Sequence, residues 1–316
     1  MRLALLGVVL WAATVCAQPY PSKPVRWIVP TGAGSAVDVT ARRVAPKLAE
    51  ALGQPVLVEN RPGANSMIGA REAARSAPDG HTLFQAVVNN ALNDLVTPDA
   101  CCLLNDKLIP VTRLISTPLV MVVHSSVPAS SVREYVELAR SKPNELTYAS
   151  GGTGAITQMV GELLKSTTGI RVREVPYKAI GAELPDLTGG HVSTAFLASV
   201  AIRDHVRSGK LRALAVAGRE RVSILADVPT MTEAGFPAIE GIGWNGIFVA
   251  AGTPRPVIDR LQQEIARILQ TKELQDDAVT MGSRTGGERP EEFAAYVRSE
   301  IERWGKLIKD ANIKIE

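Results

Sequence analysis

Two glycine-rich turns carry the residue pattern in this chain best suited to chemistry. The first is Thr31-Gly-Ala-Gly-Ser35, after the apolar run Val25–Val29. The second is Ser150-Gly-Gly-Thr-Gly154, after Leu146-Thr-Tyr-Ala149. Each leads into an amphipathic helical pattern. A turn of this kind leaves backbone N–H groups unpaired at a helix start, where the helix dipole also favours an anion. One such turn alone reads as a tight strand-to-helix connection. Two of them about half a chain apart predict two similar lobes, each offering one side of an anion site. Hydroxyls accompany both turns: Thr31 and Ser35 in the first, Ser150 and Thr153 in the second. Asp38 reads as structural, because a carboxylate facing an anion would repel it.

Other chemistries find little support. Gly32-Ala-Gly34 and Gly152-Thr-Gly154 begin like a dinucleotide fingerprint, but Val37 and Thr157 stand where its third glycine belongs. Neither a P-loop nor a nucleophile elbow occurs. The histidines, His81, His124, His191 and His205, are not paired at metal-ligand spacing. No cofactor, metal or catalytic residue is therefore expected, and a secreted hydrolase with an unrecognised site ranks last among the functions considered. The adjacent Cys101 and Cys102 cannot share a metal at ordinary spacing, so they read as a vicinal disulfide or as idle thiols in a loop.

The elements that must hold these turns alternate along the chain. Val25–Val29 reads as a strand and residues 36–52 as a helix capped by Ser35, with Val37, Ala41, Val44 and Leu48 at helical spacing. Strands at residues 55–59 and 82–88, with a helix between them, complete a βαβαβ pattern. Beyond it come a strand at 119–123, a helix opened by the capping box Ser131-Val-Arg-Glu134, and a strand ending near Tyr148. A helix over about 156–167 follows, then strands at 172–175, 192–196, 212–216 and 244–250 and helices at 256–269 and 290–312. The predicted architecture is two α/β lobes followed by a helical segment.

At 316 residues, with 46% hydrophobic and 21% charged, the composition is globular and long enough for two domains. A net charge of +3 with mixed signs and only 4% aromatic residues gives no face for nucleic acid. The N-terminus reads as an export signal: Arg2, an apolar run over residues 3–15, and cleavage near Ala17, with lipidation at Cys16 the alternative. The apolar run is too short to span a bilayer well. An exported chain that is not membrane-embedded, and is monomeric, follows as the expectation.

Several longer segments resemble the periplasmic receptors of tripartite tricarboxylate transporters, the Bug proteins. They include Tyr20-Pro-Ser-Lys-Pro-Val-Arg26, Gly53-Gln-Pro-Val-Leu-Val-Glu-Asn-Arg-Pro-Gly-Ala64 and Ala77-Pro-Asp-Gly-His-Thr-Leu83. Val175-Pro-Tyr-Lys178, Gly209-Lys-Leu-Arg-Ala-Leu-Ala-Val216, Asp227-Val-Pro-Thr230 and Ala251-Gly-Thr-Pro254 continue in the family's order. The resemblance implies an α/β, two-lobed periplasmic binding protein (a type II-like Venus flytrap) with parallel-rich sheets flanked by helices. Lobe one would hold residues 20–122 with 246–316, and lobe two residues 123–245. It further implies capture of a small organic carboxylate for permease subunits or, alternatively, for a periplasmic sensor domain.

Carried over by position, the implied ligand residues are Thr31, Gly32, Ala33, Gly34 and Ser35, then Asn89 and Asn90 after the third strand. Ser150, Gly151, Gly152, Thr153, Gly154 and Tyr177 come next, with Lys178 read evenly as contact or surface residue. Leu197 departs from the family pattern, which commonly has an aspartate there; this disfavours a ligand with an amino group. Ser199 follows it in the same loop.

Overall fold

The computed structural model describes residues 20–96, 103–178, 181–311 and 313. The expected leader and the Cys101-Cys102 pair lie outside these residues. The described chain runs β1 (Val25–Val29), α1 (Ala36–Leu52), β2 (Val56–Asn60), α2 (Met67–Ala74), β3 (Thr82–Val87), α3 (Val88–Val96) and β4 (Leu108–His124). It continues α4 (Val132–Ser141), β5 (Thr147–Ser150), α5 (Ile156–Thr168), β6 (Arg173–Pro176), α6 (Leu184–Thr188), β7 (Thr194–Ala198), α7 (Ser199–Arg207) and β8 (Leu211–Val216). The last elements are β9 (Ile242–Ala250), α8 (Arg255–Leu269), α9 (Lys272–Thr280), β10 (Arg284–Thr285) and α10 (Pro290–Asp310).

The strands form one mixed α/β sheet with a repeated order. β2-β1-β3 are parallel neighbours on one side, and β6-β5-β7 are parallel neighbours on the other. Between them run β9 and β4, antiparallel to each other and to their flanking strands. β4 joins the two parts: Leu108–Pro118 pair with β9, and Leu119–His124 pair with β7 and β8. The partners therefore switch between Pro118 and Leu119. The first part of β4 gave no clear strand signal in the sequence. Pro110, Arg113 and Ser116 interrupt its apolar pattern, and its partner lies more than a hundred residues downstream.

Burial explains why the helices form as they do. α1 carries Pro46 in its interior, a residue that costs a helix about 3 kcal/mol or more. Its inner face buries Ala41, Val44 and Leu48 completely, at about 1.5–3 kcal/mol for each large side chain, so packing outweighs the proline. Ser35 caps it as expected, accepting the Asp38 amide at 3.2 Å. The capping box at α4 forms only in part. Ser131 accepts from the Glu134 amide, but the Glu134 carboxylate turns to the amide and hydroxyl of Ser130, each at 2.7 Å.

One apolar cluster extends across both parts of the sheet, from Phe84, Phe248 and Phe293 to Met159 and Val160. Trp244 lies within it, edge-on to Phe293 with ring centroids 5.6 Å apart. α5 packs against α3 and α10, so the second glycine turn rests on the same core as the crossover strands. Beneath the first turn, Trp27 Nε1 donates to Gln85 Oε1 at 3.0 Å, and Gln85 Nε2 donates to Asn245 at 2.9 Å. Gln85 is fully buried, and this chain ties β1, β3 and β9 together without an orphaned group.

Candidate functional site

The turns β1–α1, β3–α3, β5–α5 and β7–α7 all leave the carboxyl ends of parallel strands. In an open α/β sheet this is the edge where ligands bind. The residues of the turns are not equally available there, because the chain satisfies many of their polar groups itself.

In the first turn Thr31 Oγ1 and Ser35 Oγ share a hydrogen bond of 2.7 Å. Gly34 gives its N–H to Asp38 Oδ2 at 2.9 Å. Asp38 is buried and also accepts from Asn60 at 2.8 Å and from Arg42. Burial pushes its carboxyl up, but the Arg42, Gly34 and Asn60 hydrogen bonds outweigh this and hold it below the ordinary aspartate value. Asp38 is structural, as read from the sequence. The amides of the exposed Gly32 and Ala33 have no acceptor among the described residues.

The second turn is satisfied mostly by its own helix. Gly151 donates to Thr157 Oγ1 at 2.8 Å, Gly152 to Ser150 Oγ at 3.2 Å, and Gly154 to Gln158 Oε1 at 2.9 Å. The amides of this turn are not open throughout, contrary to the expectation from the sequence: Thr157 and Gln158, reaching back from the first turn of α5, take those of Gly151 and Gly154, and Ser150 at the end of β5 takes that of Gly152. Thr153 is exposed, and its amide remains without an acceptor among the described residues. Ser150 is fully buried and donates to Glu174 Oε1 at 2.5 Å, while Gln158 Nε2 approaches Glu174 Oε2 at 3.3 Å. Glu174 and Gln158 were not singled out from the sequence, and Thr157 stood out there only as the residue in place of a third fingerprint glycine. The polar pair at the start of α5 was the available signal.

The starts of α5 and α7 lack side-chain caps, with Ala155 and Ala198 as their N-cap residues. The first-turn amides of α5, at Ile156, Thr157 and Gln158, have no acceptor among the described residues. Such orphan donors must be met by water or by a ligand.

Other expected contacts change role. Asn90 is buried and holds the β3–α3 turn, accepting from the Val87 amide at 2.9 Å and donating to the Ser66 carbonyl at 3.2 Å. Its amide group is occupied rather than offered. Asn89 donates to Asn65 at 3.0 Å, and its own Oδ1 is buried without a partner among the described residues. The Leu197 side chain does not reach the strand ends. It points into the core beside Val120, Ala149 and Val216, because strand alternation sends Phe196 and Leu197 to opposite faces. Leu197 therefore packs the core and bears on no group of the ligand directly. Tyr177 bonds through its hydroxyl to Asp186 at 2.6 Å, and burial together with this bond pushes the phenol up to about 12. Its amide donates to the Ser150 carbonyl, which seats it beside the second turn. Lys178 is exposed. Ser199 is fully buried at the first position of α7, and its hydroxyl has no partner among the described residues.

A cavity of about 400 Å³ lies elsewhere. It sits beside the β4–β9 crossover, and none of the expected ligand residues lines it.

Residues 40–313 match the family model for the tripartite tricarboxylate transporter family receptor. The chain belongs to this receptor family. Among its relatives, BugT of Bordetella pertussis is 31% identical, the match covering 99% of this chain and 98% of BugT. Rpa4515 of R. palustris, solved with adipate, superposes with a TM-score of 0.81 at 30% identity, covering 93% of this chain and 99% of that one. MatC of Rhodopseudomonas palustris, solved with bound malate, gives 0.77 at 28% identity over 92% of this chain and all of MatC. The receptor is thus a solute-binding protein with the α/β architecture the sequence led us to expect. No described helix is long and apolar enough to cross a membrane.

Proposed function

We propose that this receptor captures a small organic carboxylate between two lobes and presents it, without turnover, to the permease subunits of a tripartite tricarboxylate transporter. The lobes are residues 20–122 with 246–316, and residues 123–245, moving about the β4–β9 crossover. Export to the periplasm behind a leader cleaved near Ala17 fits this role.

The observation that carries the proposal is the pair of uncapped helix starts in the second half. Ala155 and Ala198 leave the first turns of α5 and α7 without side-chain acceptors at the carboxyl ends of neighbouring strands β5 and β7. Orphan N–H groups and the helix dipole together favour a carboxylate. The free amides of Gly32, Ala33 and Thr153 supply donors from the two glycine turns. Binding that engages both turns is stronger in the closed form than in the open one, and that difference shifts the population towards closure. The adipate and malate held by related receptors support a dicarboxylate.

A thermal-shift screen of the purified chain with malate, succinate and adipate tests this reading. A ligand at a hundred times its Kd contributes about 2.7 kcal/mol to stability. At least one of these acids should raise the melting temperature. If none does at millimolar concentration, the carboxylate assignment fails.

A further inference from the structure

The cavity beside the crossover has a chemistry of its own. Its wall draws on both parts of the sheet: Arg113 on β4, Arg284 at β10 and Tyr296 on α10 from one, and Glu220 and Glu240, which follow β8, from the other. Four arginines line it against two glutamates. Its volume of about 400 Å³ falls within the range of small-molecule sites.

Two features make the wall receptive to an anion. The Arg113 guanidinium lies 4.6 Å from the centroid of the Tyr296 ring, and both Arg113 Nε and the Tyr296 hydroxyl are buried without partners among the described residues. Each of these two donors keeps unused capacity, although Glu288 holds the other end of Arg113. Arg284 is the second feature. It meets Glu220 through Nη1 at 2.9 Å, and this pair links the two parts of the sheet across the cavity. Both side chains are more than half exposed, so the pair is weakly held and a stronger anion can displace Glu220.

We propose that this cavity is a second ligand site, distinct from the strand-end site, and that it takes a small dianion through Arg284, Arg113 and the Tyr296 hydroxyl. Inorganic phosphate and a short dicarboxylate share the required chemistry. A dianion seated here replaces a link between the two halves, so it is coupled to their relative motion. By linkage, it and any ligand that favours closure change each other's affinity by the same factor. The site does not depend on the carboxylate assignment made above.

Equilibrium dialysis of the full chain against radiolabelled phosphate, and separately succinate, tests the site. The variants are Glu220→Gln, Arg284→Ala, Tyr296→Phe and Gly152→Val. One or both anions should bind, and the tighter one identifies the source. Glu220→Gln should tighten that binding at least threefold by releasing Arg284. Arg284→Ala should weaken it at least tenfold, and Tyr296→Phe about threefold. Gly152→Val, in the second glycine turn, should leave it unchanged. Arg284 and Glu220 are exposed, so their variants should fold; Gly152 has φ +89°, so circular dichroism checks all four variants and Gly152→Val is read only where it is folded. The proposal is overturned if neither anion binds at millimolar concentration. It is equally overturned if Gly152→Val abolishes binding, or if Glu220→Gln and Arg284→Ala leave it unchanged. Failure of the carboxylate assignment shows separately, as absence of any binding that Gly152→Val removes.

Discussion

Gly34 donates its amide hydrogen to Asp38 Oδ2 at 2.9 Å, across the start of α1. This bond makes the first glycine turn a braced structure instead of an open ring of donors. Asp38 in turn ties the turn to Asn60 at the end of β2. What the turn can offer a ligand is then the pair of amides just before the brace, at Gly32 and Ala33.

Asp38→Asn should loosen this turn. The amide replaces a carboxylate oxygen that accepts from buried donors, and an unmet buried donor costs about 1–3 kcal/mol. Urea unfolding at neutral pH should show a loss of that size. The pH dependence has a definite sign. The folded-state value of Asp38 is lowered, so its contribution is complete above the ordinary aspartate value of about 3.9 and is lost as pH falls through the lower folded value. The gap between wild type and variant should therefore narrow in acid. A constant gap down to pH 2 would contradict the bracing role.

Ala155→Ser separates stability from binding. A serine at the N-cap of α5 can accept from the orphan amides, which is worth about 1 kcal/mol. The same hydroxyl occupies donors that we assign to a carboxylate. The melting temperature of the free protein should rise while carboxylate affinity, measured by calorimetry, falls several-fold. A rise in both would remove the start of α5 from the binding site.

Glu183 is fully buried, with Oε2 accepting from the Gly181 amide at 2.7 Å and Oε1 unpartnered among the described residues. Burial pushes its carboxyl above the ordinary glutamate value. A raised acid favours folding at low pH, and this advantage is lost as pH rises from about 4.3 through the higher folded value. Glu183→Gln should therefore be more stable than wild type at pH 8 and close to it at pH 4. Chemical unfolding at the two pH values measures this, and equal stability at pH 8 would count against it.

Gly282 meets Ser199 across the crossover. A Cβ on Gly282 would stand 1.9 Å from Ser199 Oγ, and the backbone there has φ +65°, which disfavours any side chain. Gly282→Ala should cost more than the roughly 1–2 kcal/mol of left-handed strain alone. Ser199→Gly in the same chain should recover the collision but not the strain. A double-mutant cycle reads the difference, and additivity of the two changes would show that the contact does not form.

The sequence by itself determined the local elements and the place of the glycine turns. β1 and α1 appear with the predicted bounds, and Ser35 caps α1, because a short apolar run and a cap hydroxyl act on neighbours only a few residues away. The motif order also carried the family. Tertiary structure decided which polar groups remain free. Ser150 is taken by Glu174, which lies 24 residues on, and Gln85 is linked to Asn245 across 160 residues. Asn90 turned out to staple a loop, Leu197 to fill the core, and the arginine-lined cavity to form only where β10 and the segment after β8 meet at the crossover. Those outcomes depend on which strands lie side by side, and local periodicity carries no record of a partner that distant.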